Sequence, residues 1–434
     1  MTEEDLHARG IELVALAFVD NAGIARAKPV VAANLASAAR SGVGAWPGFA
    51  IFRGDDLHAS SGGLEVPVGD VRLVADLGTL RGGVDGWGFC AGDQYSQEGE
   101  AWPLCPRLFL KRMVQRAAES GLTLQMTFEL EWMAARDEGF TQLVHDGPAY
   151  SLRAASRSGD YLRELARRLA AYGLEVEQLH AEYSPGQLEA SFAPRDPLTA
   201  CDETVLARHA IRQATAATGI EASFAPFVRE GLIGNGAHLH LSLWRDAFNL
   251  LGSEAPEGRS FLAGVVAEIG AIVGLGCSSP LSWRRLGPSR WTSAYACWGV
   301  ENREAPIRFI WGSQVSRPGA TNFEIKVLDA SANPYLVAGA AIAAGLAGIA
   351  AALECPPSLD LDPAKLSSTE RERRGIRSLP RDAEAGVAAL RGSAVLGDAF
   401  GTGLRDAVAA VHEAEAVDWA DRLDDAPAYY RLRY

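Results

Sequence analysis

Cysteine is scarce and scattered. Six occur in 434 residues, at positions 90, 105, 201, 277, 297 and 355, and no two form a Cys-x-x-Cys pair. That spacing excludes a thiolate zinc site and a disulfide framework, and it reads as reduced, cytosolic thiols. Positive charge is short as well: 41 Lys and Arg stand against 54 Asp and Glu, a net charge of −13. A balance of that sign argues against a nucleic-acid or anionic-membrane partner. The opening residues Met1-Thr2-Glu3-Glu4-Asp5 are acidic and carry no apolar signal region, so a cytoplasmic location is expected. There are no internal repeats. One apolar run, residues 336–353, reaches the lower limit of a membrane span. It is rich in Ala and Gly and follows Asn-Pro beside a strand carrying a glutamate, so it reads as a buried helix of an enzyme core.

What is present is a soluble-enzyme composition and four alternating segments. A hydrophobic fraction of 48% and this length suit one large or two unequal domains. Gly234-Asn235-Gly236-Ala237-His238-Leu239-His240-Leu241-Ser242-Leu243 alternates apolar and polar residues after a Gly-rich turn. A period of two puts His238 and His240 on one face of a strand. Thr127-Phe128-Glu129-Leu130-Glu131-Trp132-Met133 does the same for two glutamates. In His180-Ala181-Glu182-Tyr183-Ser184-Pro185-Gly186-Gln187-Leu188-Glu189, the Ser-Pro-Gly turn separates Glu182 from Glu189. Asn322-Phe323-Glu324-Ile325-Lys326-Val327 points Glu324 and Lys326 one way. Each alone reads as a solvated hairpin edge. Four strands that all aim acids or imidazoles at one face read as a site. Neighbouring buried carboxylates repel, and a divalent cation relieves that cost; carboxylate with imidazole suits Mg²⁺ or Mn²⁺.

These residues resemble the glutamine synthetase superfamily. The resemblance runs nearly end to end. It includes the Phe-Glu-x-Glu strand, the Pro-Gly-Gln-x-Glu turn, the Gly-Asn-Gly-x-His-x-His strand, Asn302-Arg303-Glu304-Ala305-Pro306-Ile307-Arg308, and Asp329-Ala330-Ser331-Ala332-Asn333-Pro334. Cys105-Pro106-Arg107 and the N-terminal motifs Phe18-Val19-Asp20 and Asp76-Leu77-Gly78 belong to it too. It implies an ATP-dependent ligase that phosphorylates a carboxylate and lets an amine attack the acyl phosphate. Glu131, Glu182 and Glu189 then match the ligands of one metal ion, and Glu129, His238 and Glu324 those of another. His240, Gly234 and Arg285 match the acid-substrate side, while Arg303, Arg308 and Lys326 match the catalytic cations around the phosphates. That inventory is what phosphoryl transfer needs: positioning and charge neutralisation. The family also implies a homo-oligomeric ring, hexameric or dodecameric.

Departures from the family pattern bear on the substrate. Trp291 stands where a glutamate that helps bind ammonium is expected, and residues 41–48 offer no acid for the same site. An aromatic ring cannot charge-pair with ammonium but can enclose an organic amine. Lys326 and Asn322 stand for arginines, and Ile233 for an asparagine. The expected function is therefore a γ-glutamylamine synthetase, joining the γ-carboxylate of glutamate to an organic amine. The alternatives are a ligase for a different acid, an ammonia-using glutamine synthetase, and a non-catalytic oligomeric regulator. The family's adenylylated members place a target tyrosine near residues 360–374; no tyrosine lies between Tyr335 and Tyr429, so that control is not expected.

The expected fold is α+β. Residues 1–105 form a small β-grasp domain, and residues 106–434 a catalytic domain whose antiparallel sheet makes a half-barrel covered by helices. Helices are expected at 32–41, 108–120, 158–172, 197–218, 260–275 and across 381–423. Residues 360–374 are expected to form a surface loop.

Overall fold

The computed structural model describes residues 3–60, 63–64, 69–253, 255–317 and 319–434. Met1 and Thr2 of the acidic start lie outside these.

The first sheet holds β1 (Leu13–Val19), β2 (Ala25–Val31), β3 (Val43–Ala45), β4 (Val71–Ala75), β5 (Arg81–Val84) and β6 (Trp87–Tyr95). The order is β2-β1-β6-β4-β3, with β5 on β6; β1 runs parallel to β6 and the other pairs are antiparallel. Asp20 makes the β1–β2 turn, its carboxylate accepting the N–H groups of Ala22 at 3.0 Å and Ile24 at 2.9 Å. The helix Leu35–Ser41 packs Leu35 and Ala38 with Val14, Leu16 and Leu73 in a small core of their own.

The second sheet positions the site. It contains β7 (Thr123–Ala135), β8 (Val176–Ala181), β9 (Gln187–Phe192), β10 (Glu221–Ser223), β11 (Ala237–Arg245), β12 (Phe248–Asn249), β13 (Trp298–Val300), β14 (Ile307–Ile310) and β15 (Asn322–Ile325). The path is β13-β14-β15-β11-β7-β9-β8, antiparallel except at β13–β14; β10 extends β7 and β12 extends β11. Leu124, Met126, Phe128, Leu130, Leu239, Leu241, Leu243, Phe323 and Ile325 belong to the main core. Period two sends their neighbours Glu129, Glu131, His238, His240 and Glu324 to the opposite face.

Helices Pro106–Glu119, Pro197–Gln213, Pro256–Gly276 and Pro334–Ala350 supply much of the rest of that core. The helix expected over 197–218 breaks at Ala214 and resumes as Thr215–Thr218. Pro334–Ala350 starts on Asn333, whose side chain accepts the N–H groups of Tyr335 and Leu336, with Pro334 in the first turn. Among the described residues, the helix long and apolar enough to cross a membrane is Pro256–Gly276, and it is mostly buried inside the protein. The loop expected over 360–374 is exposed but not irregular: it holds a short turn, Pro363–Lys365, and the helix Ser368–Arg373. Ser367 caps that helix by accepting the Glu370 N–H at 3.2 Å; Ser367-x-x-Glu370 is a capping-box spelling that outweighs the polar composition.

The first sheet meets the helices Pro106–Glu119 and Pro197–Gln213 through a buried charge network. The Arg107 guanidinium pairs with Asp202 at 2.8 Å, Asp93 at 2.8 Å and Asp76 at 3.0 Å. The Asn333 amide reaches back to the carbonyls of Val19 at 3.1 Å and Asp20 at 3.0 Å.

Candidate active site

Strand register lays the polar residues in a row across the second sheet. Arg308 faces Glu324, Glu324 faces His240, His238 faces Glu129, Glu131 faces Glu189, and Glu189 faces His180. Directly opposed residues on one face lie close enough for their side chains to meet, and here they do. His238 Nδ1 lies 3.3 Å from Glu129 and 3.7 Å from Glu324; its Nε2 lies 3.6 Å from Glu131. His240 Nε2 stands between Glu129 at 3.3 Å and Glu324 at 3.4 Å. His180 Nε2 approaches Glu189 at 3.2 Å.

Two groups of side chains could hold a metal ion: Glu129, His238 and Glu324, and Glu131, Glu182 and Glu189, each with ligand atoms within 4.8 Å of one another. The electrostatics fit cations. Burial pushes the Glu182 carboxyl up to about 7, a hydrogen bond from Tyr150 opposes this, and the charges of Glu189 and Glu131 add to it. Its Oε2 is buried with no partner. Burial would raise Glu129, but the two imidazoles outweigh it and hold the carboxyl well below the usual range. Burial would lower His240, yet Glu129 and Glu324 raise it to about 10. A proton on His240 thus supplies positive charge among these carboxylates. The all-oxygen-and-imidazole donor set suits a hard cation.

The remaining expected residues separate. Arg308 lies in the row, its Nη1 3.1 Å from Glu324 and its Nη2 2.6 Å from Glu301. Lys326 Nζ is 3.8 Å from Glu324. Arg285 is buried and tied to the backbone oxygens of Lys326 at 2.9 Å and Val327 at 3.2 Å. Gly234 is a tight passage: a Cβ there would come within 2.4 Å of the Pro226 oxygen and 2.9 Å of Arg285 Cγ. Arg303, by contrast, is exposed and makes no side-chain hydrogen bond or ion pair among the described residues, so it is not brought into the cluster. Trp291 is half exposed, with its ring edge-on to Tyr183 at 5.5 Å and its N–H donating to both Glu304 oxygens at 3.2 and 3.3 Å.

Several residues were missed. Gln187 donates to Glu131 at 3.0 Å, and the Gly236 N–H donates to the same oxygen at 2.7 Å. Asn322, noted from the sequence only as standing for an arginine, accepts on its Oδ1 from His240 Nδ1 at 3.0 Å. Gln187 stands two residues before Glu189 of the row, so the period-two pattern could have found it; the same spacing, Asn322 to Glu324, puts Asn322 on the row's face. Tyr150, which donates to Glu182 at 2.6 Å, lies in an irregular loop and left no such signal.

The model of the glutamine synthetase catalytic domain matches residues 103–428. The chain is 42% identical to the gamma-glutamylpolyamine synthetase GlnA3 of Streptomyces coelicolor, over 99% of this chain and 95% of that protein. The chain belongs to the glutamine synthetase family. It is 27% identical to the glutamine synthetase of Methanosarcina mazei, over 92% of this chain and 89% of the other. Among solved structures, a novel glutamine synthase homologue matches with a TM-score of 0.87 at 29% identity, covering 98% of this chain and 99% of that one. A GmaS–ADP complex matches at 0.83 and 26%, covering 98% and 96%. The fold is the glutamine synthetase fold, and the protein is an ATP-dependent amide ligase acting on small molecules. The family uses ATP and divalent metal ions.

Proposed function

We propose that this enzyme joins the γ-carboxylate of glutamate to an organic amine of the polyamine type rather than to ammonia. The carrying observation is Trp291. It lies against Tyr183, the residue that follows Glu182 in the chain, and brings an aromatic pair to the position where ammonium would need an acid. The name of the Streptomyces coelicolor relative, a gamma-glutamylpolyamine synthetase, supports the same reading.

In this reading Glu131, Glu182 and Glu189 hold one Mg²⁺ or Mn²⁺, and Glu129, His238 and Glu324 hold another. The ions, when bound, neutralise phosphate oxygens. The protein's own groups do the rest. Arg308, on the row beside Glu324, meets charge on the transferring phosphoryl group, and Lys326 adds a point charge without a fork. Arg285, fixed by backbone oxygens, and His240 orient the acid; Gly234 lets the chain pass close against Arg285. Arg303 reaches the phosphates from the rim. Trp291 and Tyr183 exclude water from the attacking amine, which must arrive unprotonated to react.

The molecule works in this reading as a ring of subunits, hexameric or dodecameric, with residues 1–105 of one copy against residues 106–434 of the next, in the cytoplasm. The deciding experiment is ADP release with ATP, Mg²⁺ and glutamate across a panel of amines. Organic amines should exceed ammonia in kcat/KM by at least about tenfold, and Trp291→Glu should narrow that gap. Efficient use of ammonia with no gain from any organic amine would overturn the reading.

A further inference from the structure

We propose that Glu304 selects the amine, its carboxylate receiving the far, cationic end of a substrate that carries two amino groups. This rests on the reading of the enzyme as an organic-amine ligase and adds which amine it prefers.

Outside the six residues placed to hold metal ions, Glu304 is the acid beside this site that has no cation among the described residues. Glu301 is paired with Arg308, Glu324 with Arg308 and Lys326, Glu129 with His238 and His240, and Glu189 with His180. No lysine, arginine or histidine nitrogen comes within 4.0 Å of Glu304 among the described residues. Lys326 and Lys365 face it from farther off, and Asp362 adds negative charge on the same side. The carboxylate is half-buried, and among the described residues its one hydrogen-bond donor is the Trp291 backbone N–H. A partly desolvated carboxylate with spare lone pairs is a strong acceptor for an ammonium group, because charge-assisted hydrogen bonds are about twice as strong as neutral ones.

The position is fixed rather than adventitious. The Glu304 N–H donates to Asn302 Oδ1 at 3.0 Å. The Asn302 amide in turn bonds the oxygens of Leu359 at 2.8 Å and Leu361 at 3.1 Å. Ala305, the next residue, is fully buried. Opposite lies the strap of residues 287–293, where Ser289, Trp291 and Ser293 all have positive φ, at 54°, 57° and 65°. Non-glycine residues accept that conformation at a cost, and it persists where surrounding contacts over-determine it. Those contacts are Trp291 to Glu304, Ser289 to Asp362 at 2.7 Å, and Thr292 to the Arg285 oxygen at 3.3 Å.

Trp291 therefore joins two places. Its ring meets Tyr183, which follows Glu182 in the chain, and its backbone meets Glu304. One residue separates the reacting end from the unpaired acid. The methylenes of a diamine can lie along the indole, with one nitrogen toward the metal carboxylates and the other, protonated, on Glu304. A monoamine of the same length gains the indole contact and not the charge.

The test compares kcat/KM for 1,4-diaminobutane and n-butylamine, read as ADP release with glutamate and ATP, in the wild type and in Glu304→Gln. Glutamine keeps an oxygen for the Trp291 N–H, so the strap stays latched while the charge goes. The wild type should prefer the diamine, and Glu304→Gln should lower that preference about tenfold or more, with Glu304→Asp restoring part of it. In the wild type alone, 4-amino-1-butanol, neutral at its far end, should behave like butylamine. Equal use of diamine and monoamine by the wild type, a preference unchanged in Glu304→Gln, or aminobutanol matching the diamine would overturn the role of Glu304 and leave the ligase reading standing. Ammonia outperforming all of these amines would overturn the ligase reading itself.

Discussion

Glu131 is held from three sides. Its Oε2 accepts the Gly236 N–H at 2.7 Å and the Gln187 amide at 3.0 Å, and its Oε1 faces His238 at 3.6 Å. That leaves the carboxylate oriented and buried, with Glu182 and Glu189 as neighbours. Replacing it by alanine removes a ligand and a negative charge that a cation at this place needs. Glu131→Ala should reduce ADP release to background and weaken Mn²⁺ binding measured by electron paramagnetic resonance; EDTA should silence the wild type in the same assay. Full activity in either case would refute a metal site here. The residues of the row were legible because a period of two fixes facing without any knowledge of the partners: Glu129, Glu131, His238, His240 and Glu324 could be placed on one face from spelling alone. Arg303 shows the limit. It sits in the same motif as Arg308, but β14 begins at Ile307, so only Arg308 takes a register position on the sheet. Strand periodicity says nothing about a side chain that precedes the strand.

At the scale of elements, helix existence was readable and helix packing was not. Long apolar stretches mark the core helices Pro256–Gly276 and Pro334–Ala350, yet their closeness depends on which glycines meet. A Cβ on Gly264 would lie 2.1 Å from the Ala344 oxygen, and one on Gly348 2.2 Å from the Ser260 oxygen, so the backbones touch where both helices are bare. Nothing local in either sequence pairs Gly264 with Gly348. β2 raises a different question. It is the edge of its sheet, bonded only to β1, and its outward residues Ala25, Ala27, Pro29 and Val31 are exposed and apolar. Exposed edges are usually guarded by charge, and this face carries none, which suits a surface covered by a neighbouring subunit. The wild type should scatter light as a closed ring, at a mass of six or more 46.2 kDa chains. Ala27→Asp with Val31→Asp should shift it to smaller species while circular dichroism stays native. A fully active wild-type monomer would refute the ring.

Over the whole molecule, the C-terminal segment closes onto the N-terminal one through a buried carboxyl. Glu415, in the helix Thr402–Trp419, accepts the Gly54 N–H and the Tyr430 hydroxyl, the latter at 3.2 Å. Arg53 beside it binds Asp55 and also Asp418, at 2.5 Å. No sequence pattern announces a contact across 361 positions; it exists because the chain returns to its start. Burial, followed by the charge of Asp55, pushes the Glu415 carboxyl up to about 8, against a usual value of 4.5. Between those two values the folded protein holds a proton that the unfolded chain has released. Stability from this group is therefore fully present below about 4.5 and is lost as pH rises through about 8, a swing on the order of a few kcal/mol. Glu415→Gln keeps an acceptor oxygen and cannot ionise. Its unfolding temperature relative to wild type should rise steadily from pH 5 to pH 9, with the other titrating groups cancelling in the difference. A difference that stays flat across that window would mean that Glu415 is already ionised in the folded protein, compensated by Arg53, and that the two ends are joined by an ion pair instead of a neutral carboxyl.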